Sequence, residues 1–152
     1  MRKAFPVDGP PDPSTITTHF CPTCADLRAT LGGLAWSAVP DDILDETVTV
    51  NALLSPMAFR YYLPAFMCRA IASPLNPGVG ASRVLDYVAM SLCLHGGDAW
   101  WLERMQGLTP PQRRVIRAFL QWASDVLIDQ EEERTRMMIH YALRPYGTAA
   151  GW

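Results

Sequence analysis

The feature that most constrains this chain is its helix punctuation. Ser55-Pro56 is followed by Phe59, Tyr62, Leu63, Phe66, Met67 and Ile71, and Thr109-Pro110-Pro111-Gln112 by Val115, Ile116, Phe119, Leu120, Ala123 and Leu127. A Ser or Thr hydroxyl satisfies an orphan backbone N–H at a helix start, and proline fits the first helical position because its missing N–H has no partner there. Gln112 stands where the second half of a capping box belongs. Apolar residues three and four apart then make one buried face. The only β-like patch, Val48-Thr49-Val50, is too short to found a sheet and predicts an extended connection. The expectation is therefore all-α: a compact bundle of five to six helices, with a long C-terminal helix and little or no β.

The remaining segments fit that reading. Residues 1–18, rich in Pro, Asp, Ser and Thr, predict an extended or disordered N-terminal arm before a single helical domain over 19–152. Pro22 opens a short helix that Gly32-Gly33 stops, and residues 41–46 form another short segment. Pro64 lies inside the central stripe and predicts a kink or a break into two pieces. Ser82 caps a helix carrying Val84, Leu85, Val88, Ala89 and Leu92 up to Gly96-Gly97. Trp100, Trp101, Leu102 and Met105 give a short hydrophobic element. The last stripe extends the final helix to about residue 143, bent or broken at the charged interval 129–136. Trp36, Phe59, Leu63, Phe66, Leu85, Phe119 and Leu120 are the expected core.

Charge narrows the function classes. The 152 residues include 13 Lys and Arg against 15 Asp and Glu, a formal net charge of -2. A nucleic-acid binder usually carries a basic excess, so that role is not expected. Arg113, Arg114 and Arg117 read as a solvated helix face. No window holds the ~20 apolar residues of a membrane span, and no apolar run follows Arg2-Lys3. The expectation is a soluble, cytoplasmic protein whose four cysteines, Cys21, Cys24, Cys68 and Cys93, are reduced or bound to metal.

The sharpest chemical signal is His19-x-Cys21-x-x-Cys24. Imidazole and thiolate are good zinc ligands, and this cluster supplies three of the four that a structural zinc needs. Cys93 and His95 are the leading candidates for the fourth; Cys68, His140 and Asp26 are further ones. The competing reading is redox. Cys21-Pro22-Thr23-Cys24 has the form of a dithiol active site, and a helix starting at Pro22 lowers the pKa of Cys21 at its positive end. The βαβ context that usually accompanies that motif is missing. Plain packing of both cysteines is the third alternative. Cys68, on the central stripe, is expected in the core. Arg60 and Trp101 are the candidate partner-binding residues: Arg60 sits beside Tyr61 and Tyr62, and adjacent tryptophans cannot both face one core. Trp152 invites the same reading. No nucleophile elbow, phosphate loop, dinucleotide fingerprint or His-Glu-x-x-His motif is present.

Leu53-Leu54-Ser55-Pro56-Met57-Ala58-Phe59-Arg60-Tyr61-Tyr62-Leu63-Pro64-Ala65-Phe66 resembles the signature of a family of small bacterial proteins classed as a domain of unknown function. His19-Phe20-Cys21-Pro22-Thr23-Cys24, Gly33 to Trp36, and Leu108-Thr109-Pro110-Pro111-Gln112 match further motifs of that family. The resemblance runs along most of residues 19–143. It implies a helical cytoplasmic bacterial domain and no particular activity. The expected role is a small interaction or regulatory module acting on another protein, with a structural zinc. The alternative is an enzyme using Cys21 and Cys24, by thiol redox or by zinc-dependent hydrolysis.

Overall fold

A computed structural model describes residues 1–7, 9–76, 80–93 and 99–127, together with Met137, Ile139 and Leu143. Six helices follow in order: α1 (Pro22–Leu31), α2 (Asp41–Thr47), α3 (Pro56–Ala72), α4 (Arg83–Leu92), α5 (Ala99–Gln106) and α6 (Pro110–Val126). Their starts obey the punctuation. Ser55 Oγ accepts from Ala58 N, Ser82 Oγ from Leu85 N, and Thr109 with Gln112 completes a reciprocal capping box. All seven expected core residues are buried in one continuous hydrophobic cluster that extends to Ile139.

Several local expectations are corrected. Val48–Leu53 is a 3₁₀ helix, not an extended connection. It continues directly from α2, and Val48 and Asn51 turn inward. The chain does not break at Pro64. α3 runs through it for 17 residues with the ring buried, because burial on several sides outweighs one lost backbone hydrogen bond. Among the described residues, β structure is limited to a two-residue antiparallel pair, Leu75–Asn76 with Gly80–Ala81, and an isolated bridge between Thr17 and Leu54. The last described helix ends at Val126, where Leu127 takes a non-helical conformation; Met137, Ile139 and Leu143 are again helical. The charged interval, the Gly96-Gly97 stop, His95, His140 and Trp152 lie outside the described residues.

The first eighteen residues are anchored on the bundle at several points, although many of them stay exposed. Phe5 and Ile16 are buried. Trp36 Nε1 donates to Pro6 O at 3.1 Å, and Tyr61 Oη donates to Val7 O at 2.7 Å. Ser55, which caps α3, also donates through Oγ to Thr15 O at 2.7 Å. The segment therefore reaches the start of α1 from a fixed direction. The other end of α1 is fixed by Tyr62, whose hydroxyl donates to the carbonyls of Leu31 and Leu34. Burial pushes the Tyr62 phenol up to about 12, so it remains a donor over the whole working pH range.

Two arginines hold α5. Arg104 is fully buried. Its Nη2 donates to the carbonyls of Asn51, Ala52 and Leu54 at 2.8–3.0 Å. Its guanidinium lies between the rings of Phe59 and Trp100, 4.3 and 3.7 Å from their centroids. Burial pulls its pKa down, while the carbonyls and ring faces hold the charge that an arginine retains. Arg60, half-buried on α3, donates through Nη1 to Glu103 O at 2.9 Å and Arg104 O at 3.3 Å, capping the negative end of α5.

Candidate functional site

The site is built at the N-terminus of α1. Cys21 is the N-cap, extended at φ -147° and ψ 163°, and Pro22 is the first helical residue. In that position a Ser or Asp oxygen would accept the free N–H two or three residues on. Here a sulfur does so: Cys21 Sγ accepts from Cys24 N at 3.2 Å. The same geometry brings the two thiols together, with Cys21 Sγ 2.7 Å from Cys24 Sγ. Cys24 is fully buried against the domain, whereas Cys21 is half-buried with an open side.

The electrostatics of the pair are asymmetric. Hydrogen bonds from the Cys24 thiol and then from the Cys24 backbone N–H hold the Cys21 thiol below its ordinary value, with Arg28 adding positive charge. Cys24 is pushed up, first by that shared hydrogen bond, then by burial and by the charge on Cys21. When one proton leaves, it leaves Cys21, and Cys24 keeps its own to donate to the thiolate.

Arg28, one turn beyond Cys24, organises the approach to the N-cap. It donates through Nε to Thr17 Oγ1 at 2.9 Å and through Nη2 to His19 O, and it lies 5.3 Å from the centre of the Phe20 ring. Phe20 is 97% exposed, immediately beside Cys21.

The structure thus brings together two members of the sequence cluster. Among the described residues, no three His, Cys, Asp or Glu side chains gather into a group able to hold a metal ion. His19 contributes its backbone carbonyl to Arg28, and Asp26 is exposed on α1. Cys93 is buried at the end of α4, and burial pushes its thiol up to about 12. Cys68 is corrected from the core to the exposed side of α3, because α3 buries its other faces. It opens on a cavity of about 380 Å³ whose wall includes Trp36, Asp41 and Arg69.

The two partner-binding candidates are also placed. Trp101 is corrected from the surface to the core, at 1% exposure; its neighbour Trp100 is the partly exposed one, stacked on Arg104. Arg60 is tied to the end of α5, although part of it lines a surface cavity. Arg113 is not simply solvated, since it donates to Leu108 O and Met105 O at 3.2 and 3.0 Å. The sequence reading missed Arg28, Thr17 and Arg104. Spacing carried a usable signal for two of them: Cys24 to Arg28 and Trp100 to Arg104 are each four apart, neighbours on a helix surface.

Fold and site define a class: a small all-α domain with a Cys-x-x-Cys pair capping one of its helices. Residues 23–149 match the profile described as "Family of unknown function (DUF6714)", and the chain belongs to that family. No curated protein and no solved structure matches the chain. No described helix is long and apolar enough to cross a membrane.

Proposed function

We propose that this protein is a small redox-responsive module in which Cys21 and Cys24 form a reversible dithiol–disulfide couple. The observation that carries this reading is the direct contact of the two sulfurs at the N-cap of α1, with Cys21 partly open to solvent and Cys24 buried behind it.

The roles follow from burial and charge. Cys21, open to solvent and the more acidic of the two, attacks one sulfur of a disulfide on a second molecule as the thiolate. A mixed disulfide forms and the first thiolate leaves. Cys24 then loses its proton to solvent or to the departing thiolate and attacks Cys21 Sγ, releasing the second thiol. The co-substrate's disulfide is reduced to two thiols, and Cys21 and Cys24 are oxidised to one disulfide. Closure replaces the thiol–thiol hydrogen bond by a covalent bond and turns a thiolate acceptor at the positive end of α1 into a neutral sulfur, so oxidation state is coupled to the helix cap.

The test is equilibration with glutathione and glutathione disulfide at varied ratio, followed by acid quench and intact mass with peptide mapping. A Cys21–Cys24 disulfide in wild type, and a glutathione adduct mapped to Cys21 in Cys24→Ser whatever the state of exposed Cys68, support the reading. About one zinc per chain bound by both thiols, with no disulfide at any ratio, overturns it in favour of a metal site.

A further inference from the structure

A second site lies where the N-terminal segment, α3, the turn after α5 and the start of α6 meet. A cavity of about 230 Å³ is lined by Phe5, Met57, Arg60, Tyr61, Gly107 and Gln112, with no carboxylate in its wall among the described residues. Phe5, Met57 and the Tyr61 ring supply apolar surface. Arg60 and Gln112 supply polar groups, and both are held in one orientation by other duties.

Arg60 spends only Nη1 on the α5 carbonyls of Glu103 and Arg104. Its Nε and Nη2 donate to nothing among the described residues, although the group is half-buried. The guanidinium lies close on Gly107, where a Cβ would stand 2.6 Å from the Arg60 Cζ. Glycine leaves that plane room to pack against the backbone. Gln112 is fixed by the capping box: its Oε1 accepts from Thr109 N at 2.8 Å and from Thr109 Oγ1 at 3.1 Å. That assigns the amide orientation and leaves Nε2 with two N–H groups and no acceptor among the described residues. Gln112 also stands in the first turn of α6, a 17-residue helix, so the positive end of that helix dipole adds to the cavity. The result is a small pocket with oriented donors, a positive charge and apolar walls.

We propose that this cavity is a binding site for an organic carboxylate with an apolar substituent, held by Arg60 and Gln112 and packed against Phe5, Met57 and Tyr61. A carboxylate supplies the acceptors and the negative charge that the wall lacks, and the apolar residues take its hydrocarbon part. This site is separate from Cys21 and Cys24, and its occupancy does not depend on the redox reading.

The test uses isotope-labelled wild-type protein in low-salt buffer, titrated with sodium benzoate and, in parallel, with neutral benzamide. The expected result is a saturable shift of the Gly107 and Gln112 backbone amides by benzoate, with Kd in the roughly millimolar range for so small a ligand. Benzamide should bind at least about tenfold more weakly, the loss of a charged acceptor opposite a guanidinium. Arg60→Met, checked for native helicity, should lose the benzoate response. An added arm with acetyl-glycyl-phenylalanine separates the two sources of such a group: tighter binding than benzoate assigns a polypeptide C-terminus, weaker binding a small free acid. No saturable shift at the two amides, or equal binding of benzoate and benzamide, overturns the proposal; the comparison on wild type holds even if Arg60→Met does not fold.

Discussion

Arg28 Nε donates to Thr17 Oγ1 at 2.9 Å, joining the last turn of α1 to the residue that forms a single β-bridge with Leu54. Through that contact one cation both orients the chain entering the N-cap and adds positive charge near Cys21. Replacing it should raise the Cys21 pKa and so lower the thiolate fraction at neutral pH. Arg28 ranks below the Cys24 hydrogen bonds among the causes, so the effect is modest. Alkylation of Cys21 by iodoacetamide at pH 7 in Arg28→Met should slow by about two- to threefold at low salt, with the difference shrinking in 1 M salt. An unchanged rate at low salt would remove Arg28 from the site's electrostatics.

The asymmetry of the thiol pair has its own signature. Limiting alkylation of the reduced protein should modify Cys21 first, with Cys24 and Cys93 protected by burial and by raised pKa values. The rate for Cys21 against pH should have its midpoint below that of an ordinary thiol. In Cys24→Ala the larger hydrogen-bond cause is lost, so the midpoint should move up and the rate at pH 7 should fall. Peptide mapping by mass spectrometry reads both, and preferential labelling of Cys24 would contradict the assignment of roles.

Arg104 tests what a buried cation with no carboxylate partner among the described residues contributes. Arg104→Met retains much of the apolar volume but strips the donor from the carbonyls of Asn51, Ala52 and Leu54. Losing those bonds and the two ring contacts should destabilise the fold by about 2–4 kcal/mol, measured by urea unfolding. Equal or greater stability would mean that burying the charge costs more than those bonds and the two ring contacts return.

Gly107 tests the packing of Arg60. Gly107→Ala places a Cβ where the guanidinium now lies, and Arg60 must swing away from Glu103 O and Arg104 O. The expected cost is about 1–2 kcal/mol, a fall in Tm of roughly 3–6 °C by calorimetry. The same variant should lose benzoate binding. An unaltered Tm would show that Arg60 does not hold the end of α5.

Much of this architecture is legible in the sequence because caps and stripes are local. Ser55, Ser82 and Thr109 mark helix starts by chemistry that acts within three residues, and the structure places each of them at an N-cap. Cys21 is legible in the same way, since Pro22 fixes it outside the first turn. Contacts distant in sequence are not legible. Pro64 reads as a break because its lost hydrogen bond is local, whereas the burial that carries α3 through it comes from other elements. Val48-Thr49-Val50 has β-branched composition, yet it follows α2 directly and continues as 3₁₀ turns. Trp100 and Trp101 can be told to diverge, but which one faces inward depends on where α5 lands on α3. Cys68 lies within an apolar helix, and only the packing of α3 shows that its side is the exposed one. The contact between Cys21 and Cys24 depends on a single backbone conformation at the N-cap, which spacing alone does not give.

The central claim is that Cys21 and Cys24 are a redox couple. Its most direct measurement is the intact mass of the protein equilibrated across a glutathione redox series, with cysteine-containing peptides mapped at each ratio. With exposed Cys68 replaced by Ser, the account predicts a reversible loss of two hydrogens, located to a Cys21–Cys24 disulfide, with Cys93 remaining a free thiol throughout. Two free thiols at Cys21 and Cys24 under every oxidising ratio would contradict it.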